Sequence, residues 1–328
     1  MKSSMIVGIQ VESLGQRCGI YTYARRLEKA LRKKGVNAKT FWRKPPKDVD
    51  IINFQYEIGL WGGDVNRVIY QLQQYPEILI GTIHNSLGLE MIGTQIDGFL
   101  VHDDIQISSY DVGWGTYAVI PHPAIYFRKR NKEKLRKKLN LPADKKIVGT
   151  AGFIAGTGKR LPVIVREILR RLKEDEFLYL ATSFFKSDIL STNRLSEIQR
   201  EVKKLGKEDN FRVDTEFVDD KTLNEKMQAC DLLFTWNATP PDFTFSQSGI
   251  ASDMYASHTK LIVKDIPHYR FIGSQEKVLK GRLEPSQFAE DVVNALRDDD
   301  VLKDIPDGKW LSWDNQVEKY IEFYKEFL

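Results

Sequence analysis

The sequence predicts an α/β protein built from two doubly wound domains, each a parallel sheet with helices on both faces. Three observations lead there. Short apolar runs rich in β-branched residues alternate with amphipathic helical stretches along most of the chain. The alternation breaks at a basic, polar stretch over 128–146 and then starts afresh. At 328 residues the chain is longer than one core usually serves.

The elements follow in order. MIVGIQV (5–11) is a buried strand, and MKSSMIVGIQV reads as that strand, not as a signal peptide. A loop with Gly15 and Gly19 leads into a helix. Ile20, Tyr23, Ala24, Leu27, Ala30 and Leu31 recur at helical spacing, Arg25, Arg26, Lys29, Arg32 and Lys33 face away, and Gly35 is the stop. VNAKTF returns as a strand and completes a βαβ unit. DIINFQ (50–55), ILIGTIH (78–84), GFLVH (98–102) and YAVIPHP (117–123) are strands, with a helix over VNRVIYQLQQY (65–75). The first domain is residues 1–123. After the helix KEKLRKKLNL, the strands KIVGTAGF (146–153), FLYLATS, FRVDTEF, DLLFTW and KLIVKD (260–265) alternate with helices over PVIVREILRRLKE, NRLSEIQREVKKLG and KTLNEKMQAC. The second domain is residues 124–310.

Composition narrows the function classes. The chain is 42% hydrophobic and 29% charged, an ordinary globular balance. No apolar run approaches the ~20 residues of a membrane span. Two cysteines, Cys18 and Cys230, read as small packing residues and fit a reducing cytosol. The net charge is +4, with basic residues clustered over 25–34 and 128–138. These runs read as solvated helix faces, with attraction to an anionic partner such as a membrane surface as the alternative. No nucleic-acid-binding motif accompanies them. The acidic clusters Asp103–Asp104, Asp219–Asp220 and Asp298–Asp300 lack any Cys/His zinc spacing, so no metal is expected. Asp298–Asp300 is expected to be surface loop.

Doubly wound sheets bind ligands beyond the carboxyl ends of their strands. The loops at 12–19, 54–63, 84–90, 102–104, 120–124, 152–160, 236–248 and 265–270 are therefore expected around one cleft. SQSGIASDMYAS (246–257) starts a helix directly after DLLFTW. Its free N–H groups, the hydroxyls of Ser246 and Ser248, and Gly249 suit an anion. The plainer alternative is a serine N-cap worth about 1 kcal/mol.

At these residues the chain resembles glycosyltransferase family 4, of the GT-B fold. ACDLLFTW resembles the family's ADVFVLPS strand, and SGIASDMYASHTKLIVKDIPHYRFI its LEAMACGKPVVASDIPGIPEVI. CGIYTYARRLEKALRKKGVNAKTF resembles GIGTYVRNLAEALAKRGHEVTVF, and VDIINFQYEIGLWGG resembles DVVHVQHEFGIFGG. LNLPADKKIVGTAGFIAGTGKRL, TIHN, VIPHP and the closing SWDNQVEKYIEFYKEF also match in place, so the resemblance covers nearly the whole chain. It implies two facing Rossmann-like domains, with a helix at 311–328 that returns to the N-terminal domain.

The implied activity is a cytosolic, retaining, metal-independent hexosyltransferase in glycan biosynthesis. It would move a hexose from a nucleotide-diphosphate sugar, GDP- or UDP-linked, to a glycan, glycolipid or small-molecule hydroxyl, with no cofactor. For a lipid-linked acceptor, residues 25–34 would dock at the inner membrane face. The resemblance assigns the leaving diphosphate to Lys159, with Arg160 sharing or taking over that role, and to Ser246, Gln247, Ser248 and Gly249. Gly19 would let the first loop approach the donor phosphates. Phe153 stands where the family has an arginine after its first C-domain glycine. Asp253 falls on the second glutamate of the family's E-x7-E motif and would hold the ribose. The first glutamate is absent: Phe245 stands there, and Asp242 is the nearest acid. His84 would contact the transferred sugar, with His122 and then His102 next in rank, each against the alternative of a packed strand-end histidine. Gln55 and Glu57 would orient the acceptor, with Glu57 as candidate base. The departures from the motif support a second reading, a non-catalytic nucleotide-sugar-binding subunit. A GT-B epimerase is a third, opposed by the C-terminal helix.

Overall fold

The computed structural model describes residues 5–12, 15, 18–108, 115–154, 160–184, 189–238 and 246–328. The chain folds into two compact units. The first comprises the chain up to Pro123, with Ser246, Gln247 and Trp313–Leu328; the second comprises Ala124 to Ser312 apart from that short return. Among the described residues no helix is long and apolar enough to cross a membrane.

The first unit holds six strands: β1 (Ile6–Gln10), β2 (Asn37–Phe41), β3 (Ile51–Tyr56), β4 (Ile78–Ile83), β5 (Gly98–Val101) and β6 (Thr116–Val119). All pairs are parallel, in the order β2-β1-β3-β4-β5-β6. The chain runs outward from β1 to β2, then crosses to the other side of β1, so the order reverses between β1 and β3. Apolar layers cover both faces, one around Leu27, Leu31 and Tyr320, the other around Phe54, Val68 and Leu89. β3 is buried along its whole length, as a strand covered on both faces must be.

The helix Gly19–Lys33 buries Tyr23, Ala24, Leu27, Ala30 and Leu31, the apolar face read from the spacing. The Sγ of Cys18 accepts from Tyr21 N–H at 3.3 Å and caps it. The closing helix Trp313–Lys325 packs in the same unit, where Tyr320 hydrogen-bonds Tyr23 through their hydroxyls. Lys33 and Lys34 pair with Asp314 and Glu318 at 2.6 Å each, while Arg25 and Arg32 pair with the buried Glu28. Much of the basic run is thus neutralised within the fold. Exposed pairs of this kind contribute about 0–1 kcal/mol each, so they orient more than they stabilise.

The second unit repeats the plan with β7 (Lys146–Phe153), β8 (Glu176–Ser183), β9 (Phe211–Asp214), β10 (Leu232–Thr235), β11 (Lys260–Lys264) and β12 (Val278–Gly281). The all-parallel order is β12-β11-β10-β7-β8-β9, with its reversal between β7 and β10. β12 is an edge strand of four residues that is only half-buried, so it has no apolar run to read. The helix Pro285–Arg297 carries a clear stripe, Phe288, Ala289, Val292, Val293 and Leu296; neither element was assigned from sequence. Asp298–Asp300 corrects an expectation. Asp298 caps a helix over Asp299–Lys303, its Oδ1 accepting from Asp300 and Val301 N–H at 3.0 and 3.1 Å. A carboxylate at a helix start satisfies free N–H groups there, and no loop results.

The basic stretch after Pro123 is wired into this unit. Arg136 is 6% exposed. It donates to Ala229 O at 2.9 Å and to Asp231 Oδ2 at 2.6 Å. That same oxygen accepts from Ile147 N–H at 2.7 Å, at the start of the central strand β7. Lys132 pairs with the other oxygen at 2.8 Å, and Arg130 and Lys138 with the buried Glu225. Burial works to raise the Asp231 carboxyl, but Lys132 and Arg136 outweigh it and hold it below the usual carboxylate range. Gly149 in β7 has no room for a side chain: a Cβ would lie 2.5 Å from Cys230 Sγ and 3.1 Å from Tyr179 O.

Two outcomes follow for stability. Asp231→Asn leaves Arg136 buried without its anion and should lose about 3 kcal/mol in urea unfolding. The depressed carboxyl stabilises above the ordinary aspartate value near 3.9 and loses that stabilisation as pH falls through its lower folded value, so the variant should show a shallower acid limb. Gly149→Ala should cost about 1–3 kcal/mol by overpacking. Adding Cys230→Ala should recover part of that loss, because it removes the nearer clash.

Candidate functional site

The carboxyl end of the second sheet holds a recess at its point of reversal. Thr150, Ala151 and Phe153 of β7 line it with Thr235 and Trp236 at the end of β10, Ile250 and Met254 of the helix Gly249–Tyr255, and Tyr269. Reversal of strand order opens a crevice there, because the flanking connections leave on opposite faces. Phe153 stacks on Phe217 with centroids 6.3 Å apart. Ser248 is the N-cap of the helix Gly249–Tyr255, and its Oγ accepts from Ala251 N–H at 3.3 Å. The hydroxyl proton remains for donation. The N–H groups of Gly249 and Ile250 have no intrahelical acceptor. Ser246, Gln247, Ser248 and Gly249 are all half-buried.

Arg160 and Lys264 are among the described cations at this end of the sheet. Arg160 is exposed and begins the helix Leu161–Leu169 with φ 31°, a left-handed backbone rarely adopted by a non-glycine residue. Lys264, at the end of β11, is 6% exposed. Its ammonium lies 4.5 Å from the Trp236 ring and donates to Asn237 O at 2.9 Å. Burial pulls its pKa down. Sequence reading passed over Lys264 because KLIVKD shows only a lysine at a strand end. Lys159 and Asp242 lie outside the described residues. Asp253 is 3% exposed, and its Oδ1 accepts from Ile125 N–H at 2.8 Å, which ties the helix to the incoming chain.

In the first unit, a polar ladder runs through buried strands toward their carboxyl ends. Asn53 donates to Thr82 Oγ1 at 2.9 Å, and Gln55 donates to Asn53 Oδ1. That bond turns Gln55 Oε1 toward His84 Nε2, at 2.9 Å. Polar groups buried this deeply are costly unless bonded, so each link fixes the next. Glu57 follows Gln55 and is half-buried; its Oε1 accepts from Gly59 N–H at 3.3 Å and Asn85 Nδ2 at 3.4 Å. Burial pushes its carboxyl up, and those two bonds offset it only in part. A group so placed suits proton transfer nearer neutral pH. At the start of the helix Gly19–Lys33, a Cβ on Gly19 would meet nothing within 4 Å.

His84, His102 and His122 follow β4, β5 and β6, three neighbouring strands, and they come together. One ring nitrogen from each lies within 4.8 Å of those of the other two. His84 and His102 are 6% and 2% exposed, and His122 is half-buried. The Tyr23 ring packs against all three, with centroids at 4.6, 5.4 and 5.0 Å. Burial, then the neighbouring histidines, hold His84 well below the usual imidazole pKa; burial lowers His102 to about 4; burial, then His102, lowers His122. All three are neutral at pH 7. The ranking of separate histidines is thereby replaced by one cluster. His84 is bonded to Gln55 and packed beside the other two rings. Spacings of 18 and 20 residues match no ligand motif, so the sequence did not reveal the group.

No protein-family model matches the sequence, and no curated protein is similar to it in sequence. Solved structures are similar in fold. Sucrose-phosphate synthase of Thermosynechococcus elongatus superposes with a TM-score of 0.77 at 15% identity, covering 98% of each chain. A glycosyltransferase of Rickettsia africae gives 0.73 at 11% identity, over 99% of this chain and 98% of that one. Anabaena HepE, solved in complex with UDP, also gives 0.73 at 11% identity, over 98% of this chain and all of the other (100%). Two six-stranded parallel sheets in one chain, matched end to end by glycosyltransferases of GT-B type, establish the expected fold: this chain has the GT-B architecture.

Proposed function

We propose that the protein is a retaining hexosyltransferase that takes its sugar from a uridine-diphosphate donor. The observation that carries this reading is the recess at the reversal point of the second sheet, in a chain of GT-B architecture. In this reading Phe153 and its neighbours receive the nucleotide. Arg160, Lys159, the Ser248 hydroxyl and the free N–H groups of Gly249 and Ile250 meet the diphosphate. Charge that grows on the departing diphosphate is then balanced by fixed donors, and transfer needs no metal. UDP is preferred over GDP because HepE, similar in fold, has been solved with UDP and with UDP-glucose. Glu57 orients an acceptor hydroxyl and takes its proton.

A second reading has its own support. Phe245 stands where the family carries its first motif glutamate, and Asp253 is committed to Ile125. A subunit that binds nucleotide sugar without turning it over would tolerate both. Glucose release or transfer from UDP-glucose, assayed with a panel of acceptors, separates the two readings: donor binding without either would favour the subunit.

Thermal shift with UDP, GDP, ADP, CMP and dTDP tests the donor site. A nucleotide at ~100 times its dissociation constant adds about 2.7 kcal/mol, and UDP should do so selectively. Arg160→Ala with Ser248→Ala should abolish the shift. Gly19→Ala should fold normally, since a Cβ there meets nothing within 4 Å, and should lower activity if a ligand approaches that backbone. No shift with any nucleotide would refute the donor site.

A further inference from the structure

The three-histidine cluster has a property that the transfer reading leaves unused. A hydrogen bond at one nitrogen of an imidazole decides which nitrogen keeps its lone pair. His84 Nε2 faces Gln55 Oε1 at 2.9 Å, His102 Nδ1 faces Ile120 O at 3.0 Å, and His122 Nδ1 faces Pro123 O at 3.1 Å. Each partner is a carbonyl oxygen, which only accepts, so each of these nitrogens carries the proton. Gln55 cannot present its amide nitrogen instead, because that group donates to Asn53 Oδ1. The lone pairs therefore sit on His84 Nδ1, His102 Nε2 and His122 Nε2. His102 Nε2 is buried with no hydrogen-bond partner. A buried acceptor left unbonded is costly and calls for an occupant.

We propose that His84, His102 and His122 bind one divalent transition-metal ion of the zinc class. Three imidazoles, each with its second nitrogen tied to a carbonyl, are the usual surroundings of such an ion. An all-imidazole set selects zinc, cobalt, nickel or copper over magnesium and calcium, which require oxygen ligands. Tetrahedral zinc would bring the three nitrogens to about 3.3–3.4 Å apart, so the rings would draw together from a spacing of up to 4.8 Å. The half-buried His122 marks the side of entry. Three neutral ligands leave the ion its full charge, with Arg26 close enough to act on His122. The fourth position is left for water, hydroxide or another oxygen donor. The ion ties the ends of β4, β5 and β6 together and, through Tyr23 and its bond to Tyr320, bears on the closing helix. This inference does not depend on the transfer reading.

Metal content tests it on the full chain, expressed without a polyhistidine tag, stripped with chelator and checked for retained fold by circular dichroism. Titration with Co2+ should give the intense visible bands of a tetrahedral nitrogen site, saturating at one equivalent, and Zn2+ should displace them. His102→Ala and His122→Ala should each abolish the bands, while His258→Ala and His268→Ala keep them. Gln55→Leu, which removes the carbonyl behind His84, should weaken binding about 10–100-fold and leave the stoichiometry at one. Wild-type protein that stays folded and gives no cobalt bands with metal in excess would overturn the proposal. So would bands that persist in His102→Ala, or a response to magnesium in place of zinc.

Discussion

Parallel strands joined by crossover connections send all their carboxyl ends to one side of a sheet. That constraint governs everything chemical in this molecule. It sets Phe153, Trp236 and Lys264 at one rim of the second sheet and Gln55, His84, His102 and His122 at one rim of the first. Strands about 4.8 Å apart place residues at the same level within side-chain reach, whatever their separation in sequence. Reversal of strand order then opens a recess at the rim of the second sheet.

Such a sheet must be buried on both faces, and in β3 and β4 this molecule breaks that apolarity with polar side chains that bond one another. Asn53, Gln55 and Thr82 sit inside strands that otherwise read as continuous core, and each bond fixes the donor direction of the next. The effect at the end of the ladder is a histidine with a determined tautomer. In the second unit Arg136 and Asp231 do comparable work, anchoring the basic stretch to the first residues of β7. In low dielectric these groups specify one arrangement, because any other leaves a buried charge or donor unmatched.

The basic runs illustrate how context reassigns charge. As sequence, residues 25–34 and 128–138 look like solvated faces or a surface for anions. In the fold, Glu28, Asp314, Glu318, Glu225 and Asp231 take up many of those cations. Glu28 pairs within its own helix, but the other acids come from distant segments, so no local charge count could pair them.

By itself the sequence determined the layered α/β plan, the buried face of the helix Gly19–Lys33 and the identity of most strands, because period and apolar content are local properties. β12 was not legible, since four residues of mixed burial carry no period. SQSGIASDMYAS reads as a helix start, and the helix begins at Gly249 with Ser248 as its cap. Only tertiary structure decided what Asp253 does, since its partner Ile125 lies 128 residues away. The same holds for the histidines. Each was visible as a strand end, but whether three strand ends are neighbours depends on strand order, which is set by long-range pairing and leaves no trace in the spacing between residues.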